Sequence, residues 1–196
     1  MTENINNIKK SLNTILEYLE YSKYDISSFN KEELYKSNFT GKFIVNSDNG
    51  KAFIYYNLEN FTKSNLQTFI KNHIEKDDIT KEDIMIIITK KFTFESFEDI
   101  IKFKTQGIYV NLYKVENLTF NILNHTYVPK HEKLTFNEKI EFMKKYNIRN
   151  SFIELPEIGR FDPVACAIFL KPGDVCKITR YDKISYENEY YRICVV

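Results

Sequence analysis

Tryptophan is absent from this chain of 196 residues, and cysteine, proline, glycine and alanine are all scarce. The three cysteines form no Cys-x-x-Cys pair, so the spacing typical of structural zinc sites is missing, and an odd number cannot all pair as disulfides. His125 and His131 lie six residues apart without a neighbouring pair of carboxylates, which is also unlike a zinc site. We therefore predict no metal site, and we expect reduced, buried side chains at Cys166, Cys176 and Cys194.

The few glycines exclude another class of function. They are scattered, without the Gly-x-Gly or Gly-Lys-Ser/Thr spacing that lets a backbone loop close on phosphate groups. We predict no nucleotide or other cofactor site and expect no small-molecule substrate. The five glycines are Gly41, Gly50, Gly107, Gly159 and Gly173.

The net charge is close to zero, and long hydrophobic runs are absent from the sequence. Basic residues number 16 against 17 acidic ones in 1–124, and 12 against 10 in 125–196. The chain therefore lacks a strong field for sequence-independent binding to DNA. No apolar run approaches the roughly 20 residues that span a bilayer, and the first residues do not resemble a secretion signal. We expect an intracellular protein without membrane contact.

All four prolines fall after residue 125, which indicates a change of architecture near that position. We predict two domains, 1–124 and 125–196. An apolar content of 43% is sufficient for a hydrophobic core in a chain of this length.

The first domain alternates helical and strand-like patterns. Apolar residues recur at helical spacing over residues 5–19, which predicts an amphipathic helix, and further helices are expected at residues 66–74 and after Thr93. The continuous apolar run 84–88 predicts a central strand. This alternation predicts an α/β fold, in which helices flank a mixed or parallel sheet. The other β-rich runs are 52–56 and 108–113.

The second domain is predicted to be a small α+β unit. A proline-bearing stretch over residues 125–131 is expected to be extended. Thr135 and Glu138 have the spacing of a capping box, in which each side chain accepts a hydrogen bond from the other residue's backbone. They start a helix that is predicted to end near residue 146.

Later signals in the same domain are equally local. Asp162 followed by Pro163 predicts the start of a short helix that continues through Leu170. The turn residues 171–174 then stop it, because Pro172 and Gly173 favour turn conformations. Two strands are predicted to follow, at residues 175–180 and 190–196.

The motifs of the second domain resemble, in order and spacing, the small archaeal RNA polymerase component that corresponds to the C-terminal part of the eukaryotic fifth subunit. A preceding α/β domain of this length is what the eukaryotic relatives add, so the whole chain resembles the fifth subunit shared by the eukaryotic RNA polymerases. The resemblance rests on His125-x-x-Val128-Pro129-Lys130-His131-Glu132, Leu155-Pro156-x-Ile158, Asp162-Pro163-Val164, Leu170-Lys-Pro-Gly-Asp-Val175, Lys177-Ile-Thr-Arg180 and Tyr190-Tyr-Arg192.

This resemblance implies a non-catalytic structural subunit of a DNA-directed RNA polymerase. Residues 125–196 are expected to form an assembly domain that docks on the largest polymerase subunit and meets other subunits. Residues 1–124 are expected to form a jaw with a restriction-endonuclease-like fold that reaches downstream DNA. The partner-binding residues that the resemblance implies are His125, Val128, Pro129, His131, Leu155, Pro156, Asp162, Pro163, Lys171, Gly173, Arg180, Tyr191 and Arg192.

The same resemblance leaves two sources open. Both domains are expected together in a eukaryote or in a large DNA virus with a eukaryote-like transcription apparatus. The implied location is the nucleus in the first case, and host cytoplasmic replication sites or the virion in the second.

Two alternatives belong to other classes of function. A metal-dependent nuclease of related fold needs an acidic residue two positions before a lysine, so that the cation and the ammonium meet at one phosphate. No Asp-x-Lys or Glu-x-Lys occurs in the chain, and Ile88 stands two positions before Lys90. A free-standing DNA-binding factor is the second alternative, and the even charge of both domains disfavours it.

Lys90 and Lys91 are the predicted DNA-contact residues. They follow the central strand and precede Thr93, so two ammonium groups and a helix N-terminus are expected to be close enough to bind a phosphate. The alternative is a solvated lysine pair at the end of a strand.

Overall fold

A computed structural model describes residues 2–27, 41–47, 50–58, 60–92, 100, 107–182 and 186–196. Packing divides the chain into two compact units, residues 1–120 and 121–196, and each is described by itself. Residues 121–124, which the sequence-based boundary leaves in the first domain, pack within the second unit. No helix in the described ranges combines the length and the apolar content needed to cross a membrane.

The first unit opens with helix α1, Thr2–Tyr21, as the apolar spacing predicted. Its buried residues recur every three or four positions, so they form one stripe along the helix. The stripe packs against a short 3-10 helix, Val115–Leu118, whose two end residues are buried as well. The buried apolar residues of α1 are Ile8, Leu12, Ile15, Leu16, Tyr18 and Leu19.

A four-stranded mixed sheet forms the centre of the first unit. Its strands are β1 (Gly41–Ser47), β2 (Gly50–Tyr56), β4 (Ile84–Thr89) and β6 (Tyr109–Lys114), in that order across the sheet. β1 and β2 form an antiparallel pair, whereas β2, β4 and β6 are parallel. All six residues of β4 are buried, so the predicted central strand is confirmed.

Helix α2, Lys63–Asp77, connects the parallel strands β2 and β4, as the alternation of patterns predicted. Two short strands, β3 (Asn60–Phe61) and β5 (Lys91–Phe92), pair in parallel next to the main sheet. The helix that the sequence predicts after Thr93 falls outside the described residues, except for Ile100, which is buried.

The second unit is built on a four-stranded mixed sheet with a core on each face. Strand order is β7 (Lys130–Lys133), β9 (Val175–Asp182), β10 (Tyr186–Val195) and β8 (Glu157–Gly159), and only the β10–β8 pair is parallel. One core contains Ile158, Ala165, Ile168, Leu170, Cys176, Ile178 and Cys194. The other contains Phe142, Val175 and Ile193, with Leu134, Met143, Ile148, Leu155, Tyr191 and Val195 packed around them.

Three helices complete this unit: α3 (Phe136–Lys145), α4 (Ser151–Glu154) and α5 (Pro163–Ala167). The predicted capping box of α3 is present. The prediction that α5 continues through Leu170 is wrong, because the helix ends at Ala167. The residues before β7 also differ from the prediction, because the backbone N–H of Val128 donates to the carbonyl of His125 at 2.9 Å and closes a turn there.

Three of the described helices, α1, α3 and α5, end at a residue that is not glycine. Phe169 has a φ of +52°, and the N–H groups of Phe169 and Leu170 donate to the carbonyls of Cys166 and Ala165, the pattern of a Schellman motif. Asn147 ends α3 in the same way, with a φ of +53°. Lys23 does so for α1, with a φ of +65°. The chain has few glycines, and residues with side chains take the left-handed positions at the ends of these three helices.

Candidate assembly surface and basic strand edge

Four of the predicted partner-binding residues form the ends and turns around α5. The Asp162 carboxylate accepts hydrogen bonds from the N–H groups of Val164 and Ala165 at 2.9 and 3.3 Å, and Pro163 is the first helical residue. The N–H of Lys171 donates to the Asp174 carboxylate at 2.8 Å, and the N–H of Asp174 donates to the carbonyl of Lys171 at 2.9 Å. Gly173 has a φ of +97°, which residues with a side chain rarely adopt. These four residues stabilise local structure, and their partner-binding role stays a prediction.

The stretch from His125 to His131 is also held by internal contacts. The N–H of Tyr127 donates to Nδ1 of His125 at 3.3 Å, which closes the turn before the half-buried Val128 and Pro129. His131 is buried, and its Nδ1–H donates to the carbonyl of Pro129 at 2.6 Å. Burial lowers the pKa of His131, although the contact with Pro129 acts in the opposite direction. The neutral imidazole is therefore part of the fold.

The remaining predicted residues lie in or beside the sheet of the second unit. The Tyr191 ring stacks on Phe142, with 4.1 Å between ring centroids, and Leu155 packs into the same core. The carbonyl of Pro156 accepts a hydrogen bond from Ile193 N–H at 2.9 Å, where β8 begins. Two arginines also lie in this sheet: Arg192 donates to the Glu157 carbonyl at 3.4 Å, and the Arg180 guanidinium lies 5.0 Å from the Tyr190 ring centroid.

An exposed apolar surface lies on α3 and α4, at residues that the sequence did not single out. We define the docking face as Phe136, Ile140, Phe152 and Ile153, whose exposed fractions are 77%, 40%, 53% and 79%. Phe136 and Ile140 are four residues apart and so share one side of α3. Lys139 Nζ donates to the carbonyl of Gly173 at 2.7 Å. A Cβ added at Gly173 would lie 3.7 Å from the Phe152 ring, so the two helices border the same turn.

A shallow groove of about 380 Å³ continues the docking face toward the end of α3. Ile140 belongs to both surfaces. Two of the lining residues are polar and three are apolar, so an amphipathic partner segment fits it better than a purely polar one. The groove is lined by Ile140, Met143, Lys144, Asn147 and Ile148.

One sequence signal could have revealed the docking face. Helix α3 carries apolar residues on two sides, because Phe142 packs inward against Tyr191 while Phe136 and Ile140 point outward. A helix with a single buried face needs only one apolar stripe. The second stripe therefore indicates a second packing surface.

The two predicted DNA-contact lysines lie at the carboxyl edge of the parallel strands in the first unit. Lys90 follows β4 directly, and Lys91 begins the short strand β5; both side chains are exposed. The structure adds Lys114, the last residue of β6, which is paired in register with Thr89. Lys114 Nζ lies 5.0 Å from the Phe92 ring centroid. Carboxyl ends of neighbouring parallel strands meet at one edge, which is the signal that predicts this third lysine.

The three cysteines are thiols rather than disulfides, as predicted, although Cys166 is half-buried while Cys176 and Cys194 are fully buried. Burial raises the pKa of Cys166 and of Cys176 to about 12, which keeps both thiols protonated at neutral pH and unsuited to nucleophilic attack. Among the described residues, no three of His, Cys, Asp and Glu come together in a way that could hold a metal ion. Ile88, at the position where a nuclease would carry its acid, is fully buried.

Comparison with known proteins covers both units. Residues 120–194 match the family model of the RNA polymerase Rpb5 C-terminal domain. Over 200 residues, 98% of this chain and all of the relative, the chain is 28% identical to the DNA-directed RNA polymerases I, II, and III subunit rpabc1 of Dictyostelium discoideum.

The archaeal relatives match a shorter part of the chain. Identity is 45% over 76 residues to the DNA-directed RNA polymerase subunit Rpo5 of Thermococcus kodakarensis, covering 39% of this chain and 90% of the relative. It is 40% over 78 residues to Rpo5 of Archaeoglobus fulgidus, covering 40% of this chain and the whole relative. The chain therefore belongs to the Rpb5 family and is a structural, non-catalytic subunit of a multisubunit DNA-directed RNA polymerase.

Proposed function

We propose that the second unit is the assembly domain and that it attaches the chain to the largest polymerase subunit through the docking face. The observation that carries this proposal is the grouping of Phe136, Ile140, Phe152 and Ile153 on the outside of a unit whose two internal cores are already filled. Single exposed apolar side chains are common, whereas a contiguous group of them is typical of an interaction site.

The size of the second unit supports the same role. It contains 76 residues between its bounds at Asn121 and Val196. A unit of this size buries a smaller fraction of its surface than a large domain and gains stability from burial against a partner. Aromatic and aliphatic anchors at the centre of an interface contribute most of its binding energy. Phe136, Phe152 and Ile153 are the expected anchors, and the groove beside Ile140 receives an apolar side chain of the partner.

Introducing negative charge on the docking face tests whether this face attaches the chain to the largest polymerase subunit. We expect the double variant Ile140→Asp/Ile153→Asp to bind the largest polymerase subunit about 30-fold or more weakly, because loss of an anchor costs about 2 kcal/mol or more and a buried, unpaired carboxylate adds to that cost. The measurement is co-elution of the full chain with the co-expressed largest subunit, followed by titration of the purified partners.

The matched control is Ile44→Asp on β1 of the first unit, where the wild-type isoleucine is 46% exposed. This variant makes the same isoleucine-to-aspartate change at one exposed position, and it should bind like the wild type. Equal binding by the double variant and Ile44→Asp would remove the docking face from the interface. Failure of the wild-type chain to co-elute with the largest subunit would remove the proposed partner.

For the first unit we propose a jaw that contacts downstream DNA through Lys90, Lys91 and Lys114. The three ammonium groups come from two neighbouring strand ends. The even overall charge of the chain means that such contact is local and is made within the polymerase complex. The nucleus is the proposed place of action in a eukaryote, and cytoplasmic replication sites or the virion in a large DNA virus.

Salt dependence measures these phosphate contacts directly. We expect Lys90→Ala/Lys91→Ala/Lys114→Ala to lower the slope of log affinity against log salt by up to about three counterions when DNA binds the assembled polymerase. The control is Lys9→Ala/Lys10→Ala, which removes two exposed lysines from α1 of the same unit. A triple-variant slope equal to that of the wild type would show that these lysines do not contact DNA phosphates.

A further inference from the structure

Strand β10 has one edge that is only partly covered. β9 pairs with it from Tyr186 to Ile193 on one side. On the other side β8 pairs only with Ile193, Cys194 and Val195. Within the described residues of the second unit, no strand pairs with residues 186–192 on that side. These seven residues are enough for a typical added strand, and helix α4 also contacts β10.

The backbone of this edge alternates between paired and outward-facing groups. The N–H of Ile193 donates to Pro156 on the β8 side, and the N–H of Cys194 donates to Asp174 on the β9 side. In an antiparallel ladder, alternate residues direct both N–H and C=O to the same neighbour. Glu187, Glu189 and Tyr191 therefore direct their backbone groups to this edge.

The side chains beside this edge differ in charge between the two faces of the sheet. Arg192 and Tyr190 share one face, because they are two residues apart, and Arg180 lies over Tyr190 on that face. Glu187 and Glu189 share the opposite face, where Glu189 forms a 2.5 Å ion pair with Lys177. A strand added here would meet arginines on one face and glutamates on the other.

We propose that this edge binds an extended segment of the largest polymerase subunit as an added β-strand. The inference rests on the proposed docking of the second unit. The segment is expected to carry acidic side chains on the face of Arg192 and basic side chains on the face of Glu187 and Glu189. Backbone hydrogen bonds to residues 187, 189 and 191 supply the attachment.

A second copy of this chain is a poor occupant of the same edge. The outward-facing residues of two identical edges would pair with each other. In the antiparallel register with the greatest overlap, Glu189 would stand opposite Glu189 of the other copy. Shifting the register by one pair in one direction places Glu187 opposite Glu189, and shifting it in the other direction places Glu189 opposite Tyr191; either shift shortens the overlap. Like charges directly opposite each other destabilise a strand pair, so charge favours a partner with a different sequence.

Hydrogen exchange of the full chain tests the added strand. We expect the amides of Glu187, Glu189 and Tyr191 to exchange at least about tenfold more slowly in the complex with the largest subunit than in the free chain. The amides of Asn188, Tyr190 and Arg192 pair with β9 in both states, so their protection serves as an internal reference. A complex whose three outward amides exchange as in the free chain would overturn the added strand while leaving the docking intact. Absence of any complex would overturn both.

A proline substitution separates the contribution of the backbone N–H to binding from that of the side chain. Glu189→Pro removes one outward N–H without removing a hydrogen bond to β9, which an edge position tolerates. Glu189→Ala keeps the N–H and removes the carboxylate. We expect Glu189→Pro to bind the largest subunit about fivefold more weakly than Glu189→Ala, because one hydrogen bond is lost. If the two variants bind equally and the amides between β9 and β10 stay protected in both, the proposal is also overturned. If proline disturbs the pairing of β9 with β10, the hydrogen-exchange experiment on the wild type decides whether the strand is added.

Discussion

Gly50→Ala is expected to destabilise the first unit by about 3 kcal/mol or more, because strained backbone costs about 1–3 kcal/mol and a steric overlap adds to it. Gly50 begins β2 with a φ of +124°. A Cβ at this position would lie 2.7 Å from the carbonyl oxygen of Glu82 and 2.9 Å from its carbon. Both atoms belong to the backbone just before β4, so neither can move without shifting the parallel pair β2–β4.

Substitutions at two other glycines separate backbone strain from steric overlap as causes of this destabilisation. Gly107 has a φ of +81°, but the three atoms nearest to its added Cβ all belong to the flexible side chain of Lys81. Gly107→Ala should therefore cost about 1–2 kcal/mol, the contribution of the left-handed backbone alone. Gly159 has no atom within 4 Å of an added Cβ, and Gly159→Ala should change stability by no more than about 0.5 kcal/mol.

Urea unfolding measures the three variants, and hydrogen exchange over Ile84–Thr89 assigns the transition to the first unit. The expected order of destabilisation is Gly50→Ala, then Gly107→Ala, then Gly159→Ala. If Gly50→Ala and Gly107→Ala were equally destabilised, the close approach of β2 to the backbone of Glu82 would contribute nothing.

The sequence predicted where helices begin better than where they end. Asp162 with Pro163, and Thr135 with Glu138, act through side chains within one turn, so a local pattern is sufficient to identify them. The end of α5 depends on Phe169 in a left-handed conformation, for which glycine is the usual signal. No glycine stands there, and packing of the buried Phe169 side chain decides the position instead.

Strand prediction depended on burial in the same way. The run that forms β4 is buried along its whole length and is therefore continuous in hydrophobicity. β1 exposes Lys42, Ile44 and Asn46 in alternation, and this short pattern was not predicted as a strand. β8 has only three residues, too few for any periodicity, and exists because β10 pairs with it.

The candidate site also contains residues that the sequence predicted and residues that only the structure revealed. The residues that carry the family resemblance are mostly those that hold the second unit together, such as Asp162, Gly173 and His131. The docking face consists of side chains that the fold itself does not need, so the resemblance did not include them. Lys114 joined Lys90 and Lys91 only when strand order was known, because it lies 24 positions after Lys90 in the chain.

Asp83→Ala is expected to cost the first unit about 3–5 kcal/mol, since removal of a buried acceptor leaves each donor with a penalty of about 1–3 kcal/mol. The Asp83 side chain is buried at the start of β4. Its carboxylate accepts hydrogen bonds from the N–H of Lys51 at 2.7 Å and from the N–H and hydroxyl of Thr80 at 2.8 and 2.7 Å. It therefore joins the start of β2 to the turn before β4.

The pH dependence of stability identifies this carboxylate as the cause. Burial alone would raise the pKa of Asp83, but the hydrogen bonds from Thr80 and Lys51 lower it overall. A carboxyl group whose pKa is lower in the folded state stabilises the protein above its unfolded value of about 3.9, and that stabilisation is lost as the pH falls through the folded value. The difference in unfolding free energy between the wild type and Asp83→Asn should therefore be largest near pH 7 and shrink below about pH 4. Glu82→Gln, the same neutralisation at the adjacent exposed residue, is the control for the loss of one negative charge. A pH-independent difference for Asp83→Asn would mean that shape, and not charge, makes this junction stable.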